Sequence, residues 1–332
     1  MTNKKAAPVT SVDELVGKWT ASSEANQHLG AVRDLLRYLS HKLYDQYKPI
    51  GSKAPTWERL SRWLANVSAT RDKQTLLELV PWLLYVGTDE MDSMYRAAFE
   101  GPIARWIIED AKLDITSPDL SNQLTTEVKR TFFGSIAGMQ IDSFIRINGI
   151  AGQSLRPDFR QFNRLGAITK LRKELRQGKY KRIVAVEDVV GTGEQMEEAA
   201  ELLVKVAPKP VLLCPLLVAP DGVNRWHTEI KTMGKNLHFD PLVVIPPNAM
   251  IPKDRSPNTE PTELQRFRQL LTRTWGKVEG THPDNQLYSE YGFGNLGSLV
   301  LTFLNCPDNA PPLIHYDSDQ WRSLFPRNPR EG

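Results

Sequence analysis

The chain has 332 residues, enough for about two domains or one large α/β domain with an appendage. Hydrophobic residues make up 40% and charged residues 24%, so neither a collagen-like nor a globally disordered chain fits. Lys and Arg number 42 against 39 Asp and Glu, a net charge of +3 that excludes an evenly basic, nucleic-acid-coated protein and leaves only a local basic patch to meet a polyanion.

The N-terminal segment after Met1 is polar and does not read as a signal peptide, and no apolar run reaches membrane-spanning length. Residues 1–120 carry helical patterning. Apolar side chains at 29, 32, 35, 36 and 39 share one helix face; Trp57, Leu60, Trp63 and Leu64 form a second stripe, Leu76 to Tyr85 a third, and Ile103, Trp106 and Ile107 a fourth. Asp89 reads as a helix N-cap before Met91 to Phe99, with an acidic ligand-side loop at 86–92 as the alternative. The segment 116–122 has the composition of a loop and marks a boundary.

Beyond it, short β-branched runs alternate with helical stripes, which predicts an α/β domain over 121–305 with a mostly parallel sheet. Candidate strands are Ile141 to Ile147, Ile183 to Val186, Val211 to Val218, Leu242 to Ile245 and Leu299 to Leu304. Residues 306–332 are Pro-rich but hold Trp321 and Phe325, so an ordered tail packed on the body is expected. Cys214 and Cys306, the two cysteines, cannot form a disulfide framework or a four-cysteine zinc site and fit a reducing cytoplasm. Six scattered His residues, His282 and His315 among them, lack metal-ligand spacing, so no protein metal site is expected.

Chemistry concentrates at Arg182-Ile-Val-Ala-Val-Glu-Asp-Val-Val-Gly-Thr-Gly-Glu-Gln, followed by apolar positions 196, 199, 200 and 203 on one helix face. A strand of a parallel sheet ending in a glycine loop and a helix N-terminus offers converging amides to a phosphate, and Thr192 adds a hydroxyl. Glu187 and Asp188 precede the loop by about the span of a ribose, and carboxylates accept hydrogen bonds from vicinal hydroxyls. Glu194, Glu197 and Glu198 crowd the first helical turn, where they suit the dipole but repel a bound phosphate.

Residues 183 to 193 resemble the signature of the type I phosphoribosyltransferases: four apolar residues, two acids, two apolar residues, then a small, glycine-rich phosphate loop. The resemblance implies that family's mostly parallel α/β fold, here with a helical N-terminal domain. It implies that Glu187 and Asp188 hold the ribose of phosphoribosyl pyrophosphate, usually with substrate-bound Mg²⁺, and that Val190, Gly191, Thr192, Gly193, Glu194 and Gln195 hold the 5-phosphate. Two positions depart from the family pattern. Gln195 stands where a Ser or Thr is usual, and Gly191 stands where purine-salvage members place an Asp base, which disfavours hypoxanthine or guanine salvage. The pyrophosphate loop is either Ser135 to Met139 or Asn148 to Ser154.

Between 151 and 182 ten Lys and Arg face two acids, a local charge of +8. Leu165, Ile168, Leu171 and Leu175 give this stretch a helix, with Gly178 as its C-terminal cap. Arg156, Arg160, Arg164, Lys170, Arg172 and Lys173 are candidates for binding pyrophosphate or nucleic acid; a solvated helix face is the alternative. The Asn and Pro spacing from Asn305 to His315, closing on Trp321 and Phe325-Pro-Arg, resembles the tail of a bacterial phosphoribosyltransferase-like subgroup of conflict systems, including retron loci. That resemblance, over residues 125–327, implies a toxic antiphage effector held with a reverse transcriptase and its msDNA. A non-catalytic, nucleotide-sensing regulator that binds nucleic acid is the other reading of the same features.

Overall fold

The computed structural model describes residues 9–49, 54–164, 168–176, 179–206, 208–256, 260–281 and 288–328, and within these it describes no side chains for 162–164 and 176. Leu165, Gly178 and His282 lie outside the described residues, as does the Arg164 side chain. In chain order the helices and strands are α1 (Val12–Ser22), α2 (His28–Lys42), α3 (Thr56–Leu64), α4 (Thr70–Leu79), β1 (Leu84–Val86), α5 (Thr88–Ala98), α6 (Ala104–Ala111), α7 (Leu120–Lys129), β2 (Thr131–Ser135), α8 (Ile141–Ile147), α9 (Phe159–Arg164) and α10 (Ile168–Arg176). They continue as β3 (Arg182–Val190), α11 (Glu194–Val206), β4 (Val211–Val218), α12 (Pro220–Thr228), β5 (Leu237–Phe239), β6 (Val243–Val244), α13 (Thr262–Glu279), β7 (Val300–Thr302) and α14 (Pro312–His315). Backbone contacts group residues 1–88 with 247–332 into one unit and 89–246 into a second. These cuts fall away from the composition changes near 120 and 305.

The second unit is an α/β structure built on a parallel sheet. Its sheet runs β2-β3-β4-β5, with β6 also on β4, and every pairing is parallel. Strands β3 and β4 are central, which explains why nearly every side chain of both is buried. On β2 the pleat sends successive side chains to opposite faces. Phe132 meets Tyr180 edge-on at 5.0 Å, while Phe133 packs with Phe99 and Phe144 at 6.5 and 6.1 Å. Arg182, 2% exposed at the start of β3, is held by Asp110 of α6 at 2.7 Å and Glu127 of α7 at 2.8 Å. A buried guanidinium requires such partners, and these two bind helices α6 and α7 to the sheet.

Several sequence expectations change. Ile141 to Ile147 is helix α8 rather than a strand, because Ile141, Phe144 and Ile145 are buried at i, i+3, i+4 spacing. The first strand of the sheet is instead Thr131–Ser135, whose glycine and serine masked it. The helical stripe from Leu76 stops at Leu79; Pro81 follows, and Leu84–Val86 is a strand. Helix α5 starts at Thr88, which puts Asp89 in its first turn, where a carboxylate suits the dipole, rather than at the cap.

In the first unit β1 and β7 form a separate two-stranded parallel sheet, so the strand expected at 299–304 does not join the main one. Leu29 and Leu36 of α2 are buried as patterned, whereas Leu35 is 45% exposed. The irregular tail is fixed by specific donors. The indole N–H groups of Trp63 and Trp321 both donate to the Leu313 carbonyl at 2.9 Å, and Tyr47 Oη donates to the Pro326 carbonyl at 2.8 Å. Asn305 clamps Asn328, donating to its carbonyl and accepting from its amide. Gly292 has φ +78°, and a Cβ there would sit 2.4 Å from the Ala310 carbonyl oxygen.

His315 is buried in this tail, and its Nε2 donates to the Ala310 carbonyl at 3.1 Å. Burial, reinforced by the Arg327 charge, lowers its pKa from 6.5 to about 4. The folded state therefore holds the neutral ring, a contribution complete above pH 6.5 and lost as pH falls towards 4, worth about 3 kcal/mol at the acid end. Urea unfolding followed from neutral pH to about pH 4 should show this loss in the wild type and less of it in His315→Gln, which keeps an amide donor but does not titrate. Identical pH profiles for the two proteins would contradict it.

Candidate active site at the carboxyl edge of the main sheet

Because β2, β3 and β4 are parallel, Ser135, Val190 and Val218 all end at one edge of the sheet, where such folds receive ligands. Strand β3 runs directly into the loop 191–193 and then α11, so the loop amides and the first turn of the helix face that edge. Gly193 adopts φ +85°, a conformation that favours glycine, and a Cβ there would lie 3.2 Å from Gly222 Cα. Gly222, in the first turn of α12, is as constrained: a Cβ would stand 2.9 Å from the Gly191 carbonyl oxygen and 2.9 Å from Val218 Cγ2. Thus α12 closes against the back of the loop. Thr192 Oγ1 accepts the Glu194 amide at 3.5 Å, capping α11.

The two acids differ in setting. Glu187 is 1% exposed, and its Oε2 accepts the Ala137 amide at 2.5 Å. Asp188 is half-buried, with Oδ1 accepting the Val189 amide at 2.8 Å. A residue without any sequence signal joins them: Tyr95 of α5 is buried, and its pKa is raised by burial and then by the negative charges of Asp188, Asp92 and Glu187. Its phenol is a neutral hydrogen-bonding group within electrostatic reach of both acids, and its ring is set by Phe144 edge-on at 5.8 Å.

Of the two stretches considered for pyrophosphate, 135–139 follows β2 and lies against Glu187 through the Ala137 amide. Asp158 braces the same stretch. Burial raises its pKa, and it accepts backbone amides of Gln161, Arg160 and Gly138. Gly138 has φ +97°, and a Cβ there would meet open space. The other stretch, 148–154, serves the free edge of β2. Gln153 accepts the Phe133 amide at 2.8 Å and donates to the Phe133 carbonyl, imitating a neighbouring strand.

The acids of the first α11 turn are matched by arginines. Arg225 of α12 meets Glu197 at 2.8 Å, Glu229 at 3.1 Å and Glu194 at 3.9 Å, and Arg160 meets Glu198 at 2.8 Å. The repulsion of a phosphate expected from those glutamates is therefore partly offset by two cations. Arg156 pairs with Asp142. Lys170, Arg172 and Lys173 are exposed on α10, and Arg172 donates to the Lys205 carbonyl at 3.4 Å, near the end of α11 remote from the loop. Twelve residues of helix separate Lys205 from Gly193, about 18 Å, so Arg172 is not brought to the phosphate loop. Gly222 and Arg225 had one cue in the sequence, a Pro-Asp-Gly turn directly after a strand; Tyr95 and Asp158 had none. Among the described residues, no group of three or more His, Cys, Asp or Glu is arranged to hold a metal ion.

A glycine loop joining a central parallel strand to a helix, preceded by two carboxylates, defines a phosphoribosyltransferase-like α/β protein. Comparison with protein families agrees: a family model described as PRTase-CE matches residues 60–327, and the chain belongs to that family. No curated protein and no solved structure matches the chain. Among the described residues no helix is long and apolar enough to cross a membrane.

The packing around the loop can be tested without a ligand. Gly222→Ala should lower the urea midpoint by the equivalent of about 1–3 kcal/mol, since the added methyl meets backbone and a branched side chain. Gly101→Ala, whose methyl would meet open space, should be neutral or stabilising. Equal effects from the two substitutions would contradict the close approach of α12 to the loop.

Proposed function

We propose that the chain is a phosphoribosyltransferase-like enzyme that binds a 5-phosphorylated ribose, as phosphoribosyl pyrophosphate or another nucleotide, and breaks or exchanges the bond at its anomeric carbon. What supports this reading is the convergence of the 191–193 loop, Asp188 and Glu187 at one edge of the parallel sheet. In this mechanism the amides from Gly191 to Gln195 and the Thr192 hydroxyl hold the 5-phosphate against the positive end of α11. Asp188 accepts hydrogen bonds from the ribose hydroxyls. Glu187 holds the 135–139 loop through the Ala137 amide, which presents that loop to the leaving pyrophosphate.

As the anomeric bond breaks, the ribose gains oxocarbenium character, and the fixed charges of Asp188 and Glu187 stabilise it. The neutral Tyr95 phenol serves as a donor to substrate oxygen or to a carboxylate. A substrate-bound Mg²⁺ would supply charge neutralisation to the diphosphate, and the half-buried Asp188 carboxylate would offer it a hard oxygen donor. Arg160 and Arg225 hold the α11 glutamates away from the phosphate charge.

The setting we propose rests on the tail resemblance alone: a toxic effector of bacterial antiphage defence, cytoplasmic, assembled with a retron reverse transcriptase and its msDNA. A second reading, a nucleotide sensor without catalysis, draws support from Glu187, whose buried carboxylate is engaged with Ala137. To separate the two, the protein is incubated with Mg²⁺ and phosphoribosyl pyrophosphate, and separately with nucleotide and tRNA pools, and released pyrophosphate and bases are quantified. The enzyme reading expects release by the wild type and a loss of roughly a hundredfold or more in Asp188→Asn. Binding of phosphoribosyl pyrophosphate without release by either protein would favour the sensor.

A further inference from the structure

The amino edge of the same sheet carries a feature that the candidate site does not use. The residues leading into the four neighbouring strands are basic: Lys129 and Arg130 before β2, Lys179 and Lys181 before β3, Lys209 before β4 and Lys235 before β5. Backbone hydrogen bonds hold these approaches side by side. The Lys181 amide donates to the Arg130 carbonyl at 2.8 Å, Ile183 to Pro210 at 2.9 Å and Val211 to Asn236 at 2.9 Å. Adjacent strands are about 4.8 Å apart, so the row crosses about 14 Å, the axial rise of roughly four nucleotides of one strand.

The row stays positive after local pairing. Glu127 is shared among Arg130 at 2.8 Å, Lys181 at 3.8 Å and Arg182 at 2.8 Å, and Arg182 is itself buried. Lys129, Lys179, Lys181 and Lys235 are exposed. The exposed cations of α10 extend the same end of the layer, because Arg172 lies against the Lys205 carbonyl. The nine residues of β3 place this edge about 30 Å from the phosphate loop.

We infer that this amino-edge row is a docking surface for the sugar–phosphate backbone of duplex nucleic acid, separate from the nucleotide site. Spaced cations without base-reading groups suit phosphates and give sequence-independent binding. A single strand would call for exposed aromatic platforms, and the described residues of these segments expose no Phe, Tyr or Trp. An anionic membrane would call for a broad apolar insertion face. Here the described residues of these segments expose no large apolar side chain, and α10 and α11 beside them expose Val204 alone. The duplex binds through the row while the opposite edge remains open, so polynucleotide and nucleotide bind independently.

The test uses the full chain and a short mixed-sequence DNA duplex, with fluorescence anisotropy over a salt series. Neutralising Lys129→Gln, Lys181→Gln and Lys235→Gln together should weaken duplex binding at least tenfold and flatten the log–log salt slope by about 0.9 for each phosphate contact removed. Matched single-stranded DNA should bind more weakly, and phosphatidylserine vesicles should not compete. An unchanged affinity and slope in a triple variant that melts like the wild type would overturn the proposal, as would preferential binding to vesicles or to single strands. Ribose 5-phosphate binding, measured on the same variant, should be unchanged; its loss would show that the two edges are not separate. Absence of ribose 5-phosphate binding in the wild type would instead count against the nucleotide site alone.

Discussion

The common direction of the strands around β3 is the constraint on which the rest depends. A parallel sheet has two unlike edges, and every strand that joins it contributes its start to one and its end to the other. In residues 89–246 the ends gather the glycine loop, two carboxylates and the braced 135–139 stretch, while the starts gather lysines and arginines. Arg182 fixes the first residue of β3 through Asp110 and Glu127. Glu187 ties the far part of the same strand to the 135–139 loop. One strand is therefore anchored at its start and in its second half by carboxylate contacts, and the phosphate loop follows directly from it.

Charge on this protein is better understood by partner than by sum. The overall +3 and the local +8 between 151 and 182 both mislead when taken alone. Arg182 is buried structure, Arg156 and Arg160 meet acids from outside the stretch, and Arg172 lies at the remote end of α11. Conversely, the glutamates crowding the phosphate loop are not an open negative barrier, because Arg225 and Arg160 hold three of them. What stays in excess of its acids is a row assembled from four separate segments, which no window of the sequence could contain.

The strand–loop–helix at 182–206 was legible in the sequence because its determinants are local: an apolar run, two glycines and a helical stripe. Ile141 to Ile147 was not, since a seven-residue apolar pattern fits either period and only burial against Tyr95 and Phe133 decides it. Thr131–Ser135 hid for the opposite reason. Gly134 weakens a strand signal, yet its missing side chain is needed there, where a Cβ would lie 2.7 Å from the Phe159 ring. Tyr95 and Asp158 reach the site through tertiary packing, so no spacing along the chain announces them. The tail behaved similarly: its Asn and Pro residues are visible, but the pairing of Asn305 with Asn328 is a property of the fold.

Whether the loop at 191–195 holds a sugar phosphate is decided most directly by titrating ribose 5-phosphate into isotopically labelled protein and following the backbone amides. The account predicts saturable shifts at Gly191 to Gln195, with smaller ones at Asp188 and Tyr95. Shifts confined to other regions, or none at 191–195 at saturating ligand, would contradict it.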